Sequence, residues 1–209
     1  MQYRREIDGL RALAIIPVIL FHANQSWAPG GFIGVDIFFV ISGYLITKII
    51  LRDLTKGKFS LISFYERRMR RILPNLFFML LISSIAAWIL MSPNELYNFS
   101  KSLVSTQFFA SNIYFWHSTD YFALDANTNP LLHTWSLAVE EQFYLFFPLF
   151  LVVFWRRTTK KTQIYIFTAI ALISFSISSY LSKEFHSANF FLSPSRIWEL
   201  LIGSLLAYY

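Results

Sequence analysis

Six apolar runs, most of them near the twenty or so residues that cross a bilayer as a helix, constrain this chain more than any other feature. They lie near Leu10–Trp27, Phe32–Leu51, Ile72–Met91, Thr134–Trp155, Gln163–Leu181 and Pro194–Tyr209. Backbone inside hydrocarbon must satisfy its own hydrogen bonds, which leaves helices or closed barrels. Runs this long and unbroken predict helices. The expected fold class is therefore all-α, a polytopic membrane helix bundle with five or six spans. Composition agrees, with 56% apolar and only 14% charged residues, against about 25% charged in an ordinary soluble domain. Cys is absent, which excludes a disulfide framework, a thiolate metal site and a cysteine nucleophile.

The stretch Ser92–His133 is too polar to span and is expected to lie along the outer surface, partly helical. No repeat or flexible linker marks a second domain, so residues 1–209 read as one transmembrane domain. The last run covers about 24 Å as a helix and reads as a span cut short. The chain is thus expected to be the N-terminal part of a longer protein.

The net charge of +6 does not point to nucleic acid, because the basic residues sit at the ends of apolar runs. Of the 18 Lys and Arg, all but Lys101, Lys183 and Arg196 fall on one side of the expected spans. Positive residues favour the cytoplasmic side, so the N-terminus is expected there. The first run resembles a signal peptide in its basic start. Arg11 breaks its apolar core, however, and "FHANQSW" lacks a small-x-small cleavage site, so a retained helix is expected.

Polar residues inside apolar runs carry the functional signal, because a membrane interior makes them costly. Arg11 and His22 are separated by about 1100° of helix rotation and so share a face, roughly 16 Å apart along the axis. Alone, Arg11 could be a snorkelling flank residue and His22 a helix–helix hydrogen bond. Together they fit a path, with a cation at its entrance and an imidazole deeper in as acid or base. Pro17 between them can kink the helix. In the second run Asp36, Val40, Gly43 and Thr47 share a face with Ser42 beside them. Asp36 either orients His22 from the adjacent helix or caps backbone where Gly43 allows close packing.

"FYERRMRRILP" holds Arg67, Arg68, Arg70 and Arg71. Four Lys would anchor topology equally well, whereas guanidinium forks grip phosphates bidentately. In "LLHTWSLAVEEQFYLFFPL", His133, Ser136, Glu140 and Tyr144 lie on one helix face, next to Glu141. Residues stacked on one helix seldom reach triad geometry, so a cavity-facing polar stripe is the better reading. Arg196 and Glu199, three apart, are expected to form an internal ion pair. The histidines lack ligand spacing, and no metal site is expected.

These stretches, in this order with "YRREIDGLRALAIIPVILFH", "GGFIGVDIFFVISGYLIT" and "SRIWELLIGSLLAY", resemble acyltransferase family 3 over nearly the whole chain. That family includes bacterial O-antigen, peptidoglycan and exopolysaccharide O-acetyltransferases. Its arginine–ten residues–histidine motif falls on Arg11 and His22. Its arginine-pair motif falls on Arg67/Arg70 or Arg68/Arg71. The resemblance implies about ten spans, of which this chain carries some six. It also implies transfer of an acyl group, usually acetyl, from cytosolic acyl-CoA to a carbohydrate acceptor, a cell-surface glycan or its lipid-linked precursor, with no bound cofactor. In that scheme Arg11 and Arg67–Arg71 hold the CoA phosphates, His22 acts as base with Asp36 orienting it, and Ser42, His133, Glu140, Glu141, Arg196 and Glu199 line the acceptor side. The rival readings are a proton-coupled transporter or flippase, and an inactive membrane partner; broken helices at matching positions in two halves would mark a transporter.

Overall fold

The computed structural model describes residues 5–24, 26–118 and 129–209. Arg4, counted above, and residues 119–128 of the polar segment lie outside them. Helices follow one another as α1 (Arg5–Ala23), α2 (Ile33–Thr55), α3 (Leu61–Leu90), α4 (Pro93–Gln107), α5 (Ser111–Ser118), α6 (Thr134–Trp155), α7 (Lys160–Glu184), α8 (His186–Phe191) and α9 (Ile197–Leu206). A single 3-10 turn, Ser193–Ser195, precedes α9, and no strand occurs among the described residues. The protein is an all-α membrane helix bundle.

Each expected run is helical, but the runs are not alike. α2, α3, α6 and α7 are long and apolar enough to cross a membrane. α1 carries Glu6, Asp8 and Arg11 within its 19 residues, and α9 has ten. α3 and α7 bury little within the bundle; side chains such as Phe78 and Trp88 face outward, as lipid-facing positions should. The basic ends of α1, α2, α3, α6 and α7 gather at one end of the bundle, called the basic end below.

Local chemistry sets the helix starts. Ser60 and Thr159 accept backbone hydrogen bonds from Ser63 and Thr162 at the starts of α3 and α7, which satisfies donors a helix start leaves free. α4 opens with Pro93 in its first turn and a Ser92–Glu95 capping box. That pairing holds the Glu95 carboxyl below its usual range.

α4 and α5 refine the expectation for the polar segment. They are helical with one face exposed, and each buries its other face against the bundle. α4 starts beside the end of α3 and runs back along it, so that Phe108 and Phe109 at its tip reach Met69, Ile72 and Leu73. Burial drives this: Phe99 and Phe115 are buried, as are Ser102, Thr106, Ser111 and Asn112. The polar groups go in satisfied, Thr106 on Thr134, Ser111 on the Thr134 carbonyl and Asn112 on the Phe191 carbonyl, which removes most of the cost of withdrawing them from water.

α2 and α9 make the tightest pairing. A Cβ on Gly43 would stand 1.9 Å from the Leu200 carbonyl oxygen, and one on Gly203 would stand 1.9 Å from that of Val40. Only glycine allows two helix backbones to approach so closely. Gly34 plays the same part against the Ala14 carbonyl of α1. α2 thus serves as the spine on which α1 and α9 are laid.

Candidate functional site

A cavity of about 620 Å³ opens among α1, α2, α3 and α6. Its wall brings together Arg11 and Asp8 of α1, Ser42 and Lys48 of α2, Arg68 and Arg71 of α3, and Glu140 and Tyr144 of α6. Four cations thus meet two carboxylates, an arrangement suited to an anionic ligand. Ser42 lies about 14 Å along α2 from Ile33, and Glu140 about 9 Å along α6 from Thr134, at 1.5 Å per residue. The cavity therefore runs from the basic end into the middle of the spans.

At its inner end Glu140 is buried and accepts a hydrogen bond from the Tyr144 hydroxyl at 2.8 Å, with the Ser42 hydroxyl adjoining both. Arg68 donates to Glu141 at 3.0 Å and stacks 3.6 Å from the centre of the Tyr144 ring. Arg11 sits over the Phe38 ring at 5.6 Å. The Nε atoms of Arg11 and of Arg68 are both buried without a hydrogen-bond partner. A buried guanidinium N–H left unpaired is costly.

The four arginines of α3 divide. Arg68 and Arg71 face the cavity. Arg67 is exposed and 3.7 Å from Asp53, and Arg70 is exposed and paired with Glu66 at 2.7 Å. Of the two registers left open by the sequence, only Arg68/Arg71 points both members inward. Lys48 was read as a topological charge only. It lies a full turn deeper than Arg52, in "LITKIILR", and that depth was the available signal.

A second polar group forms toward the opposite end. Arg196 donates from Nη1 to Asp36 at 3.0 Å and to Glu199 at 2.9 Å, and from Nε to the Phe190 carbonyl. The Arg196–Glu199 pair is as expected. The expected contact of Asp36 with His22 is not formed, because α9 packs on α2 and offers Arg196 to the carboxylate first. His22 is exposed, and its Nδ1–H donates to the Val18 carbonyl at 2.8 Å. That bond leaves Nε2 as the free, basic nitrogen. His133 stands near His22 just before α6. Desolvation lowers its pKa, a backbone hydrogen bond to Pro130 works against this, and the charge of His22 lowers it further. Arg11, Ser42, Arg68, Arg71 and Glu140 thus share one cavity, with Glu141 behind Arg68. His22, Asp36, His133, Arg196 and Glu199 lie outside it.

An acyltransferase domain family matches residues 4–209. A peptidoglycan O-acetyltransferase of Listeria monocytogenes is 40% identical over 213 residues, which cover 99% of this chain and 34% of that protein. An O-acetyltransferase of Staphylococcus aureus is 36% identical over 212 residues, covering 99% of this chain and 35% of that protein. The chain spans about a third of the length of these curated relatives. No solved structure matches it.

Proposed function

This chain belongs to the acyltransferase domain family, and from that premise we propose that it takes an acyl group, acetyl in the first instance, from cytosolic acyl-CoA and passes it to a hydroxyl of a cell-surface glycan. Peptidoglycan is the first acceptor to test, since a relative carries that name. The observation that carries the reading is the cavity at the basic end. Its four cations lead inward to Ser42, Glu140 and Tyr144, as a channel for a phosphate-bearing donor with a long neutral arm would require.

In this reading the basic end faces the cytoplasm. Lys48 and Arg71 meet the CoA phosphates near the mouth, and the Arg11 and Arg68 guanidinium groups lining the wall offer N–H donors further in. The acyl-bearing arm extends toward the far end of α1. There Nε2 of His22, fixed as the basic nitrogen by the Val18 carbonyl, takes the proton of the acceptor hydroxyl. The hydroxyl oxygen forms the new ester C–O bond, the thioester C–S bond breaks, and CoA leaves as the thiol with a proton. Asp36, held by Arg196, which Glu199 also binds, fixes α2 and α9 beside this end and does not touch His22.

The test uses native membranes given radiolabelled acetyl-CoA, with label followed into cell-wall glycan. Wild type transfers label. Arg11→Ala and His22→Ala each lose it while the protein stays in the membrane at its usual level. Unchanged transfer in both would sink the reading.

A further inference from the structure

Glu141 differs from the other acidic groups of the bundle in what it holds. Its Oε1 accepts from Arg68 Nη2 at 3.0 Å, with the two side chains only 14% and 20% exposed. One turn further along α6, the Tyr144 ring lies against the same guanidinium at 3.6 Å. A single turn of α6 therefore grips Arg68 on two sides, while Arg68 Nε stays buried without a partner.

Glu141 itself is not part of the cavity wall. It lines a separate, mostly apolar pocket of about 410 Å³, with Met69, Phe108 and Phe109. Arg68, Ile72 and Tyr144 are the residues common to both walls. Arg68 is the one of these that Glu141 pairs with, so Glu141 reaches the cavity through that guanidinium. A buried ion pair adds little stability over an apolar pair of the same shape, so its presence asks for another reason. An arginine fork binds best when its geometry is set in advance, since less side-chain freedom is lost on binding.

Resting on the donor site described above, we propose that Glu141 is a positioning residue for the acyl donor. It holds the Arg68 guanidinium across Tyr144, so that the remaining N–H groups face the cavity already oriented toward the donor's anionic groups. Glu140 has a different place: it faces the cavity and is bonded to Tyr144.

The test is acyl-CoA saturation kinetics in native membranes for wild type, Glu141→Gln, Glu141→Asp, Arg68→Ala and the double variant Arg68→Ala/Glu141→Gln. Glu141→Gln should raise the donor KM about tenfold, the effect of losing one charged hydrogen bond, with kcat within about twofold. Glu141→Asp, which keeps the charge on a shorter arm, should raise KM by less. In the Arg68→Ala background, Glu141→Gln should add nothing further, because residues acting as one unit are not additive. If Glu141→Gln fails to accumulate, Glu141→Asp carries the test and must raise KM alone. Full additivity in the double variant, or a fall in kcat at unchanged KM, would overturn the positioning role and leave the donor site standing. An unchanged KM in Arg68→Ala would remove the donor site as well.

Discussion

At the scale of single residues, the sequence marks which side chains are out of place in a membrane but not what each one meets. Arg11 and His22 share a helix face by arithmetic, yet only Arg11 lines the cavity, while His22 is exposed at the other end with one nitrogen occupied. If His22 is the base, His22→Ala should reduce transfer by roughly 10²- to 10⁴-fold, the usual range for losing a positioned proton acceptor. Protein abundance in the membrane should not change. A variant that keeps half its activity would take His22 out of the chemistry. The α3 arginines give a second expectation. Replacing Arg68 and Arg71 together by Lys should raise the donor KM about tenfold through loss of bidentate contacts. The same exchange at Arg67 and Arg70 should leave it unchanged, and equal effects from both pairs would contradict the inward register. Spacing alone could not choose between these pairs. The choice depends on where α2 and α6 stand relative to α3, which no local pattern encodes.

Among the elements, legibility followed hydrophobicity. Long apolar helices such as α2 and α6 could be placed to within a few residues because burial in lipid needs length and little else. α4 and α5 could not, because part of their polarity, at Thr106, Ser111 and Asn112, is satisfied inside the bundle by Thr134 and Phe191. The close approach of α2 and α9 at Gly43 and Gly203 was half legible: the sequence pointed to Gly43 as a packing site, and the partner helix was unknown. Gly43→Ala tests it. With backbone 1.9 Å from the new Cβ, α2 and α9 must part, at a cost of about 1–3 kcal/mol typical of overpacking. The thermal midpoint in detergent should fall, with the Asp36–Arg196 bond strained as well. Gly9→Ala, where a Cβ meets nothing within 4 Å, is the control and should not lower the midpoint. Equal midpoints for the two variants would mean that α2 and α9 are not in backbone contact.

For the whole molecule, the arrangement is a membrane bundle with one charged end and a cavity opening toward it. The crowding of basic residues at one end was readable from the sequence, since charge placement is one-dimensional. The splitting of the polar residues into a cavity group and an Arg196 group was not, because α9 returns to α2 across most of the chain. The absence of Cys makes orientation directly measurable with single introduced cysteines. Lys58→Cys, in the turn before α3, should react with an impermeant thiol reagent only after the membrane is opened. Ser182→Cys, near the end of α7, should react in intact spheroplasts. The reverse pattern would invert the topology on which cytosolic acyl-CoA depends. The central claim, that the cavity at the basic end is the donor site, has its most direct test in ligand protection. Leu45 lines the cavity, whereas Ile62 at the start of α3 is 81% exposed and outside it. Acetyl-CoA should slow alkylation of Leu45→Cys about tenfold in opened membranes and leave Ile62→Cys unaffected; equal alkylation of Leu45→Cys with and without acetyl-CoA would contradict the account.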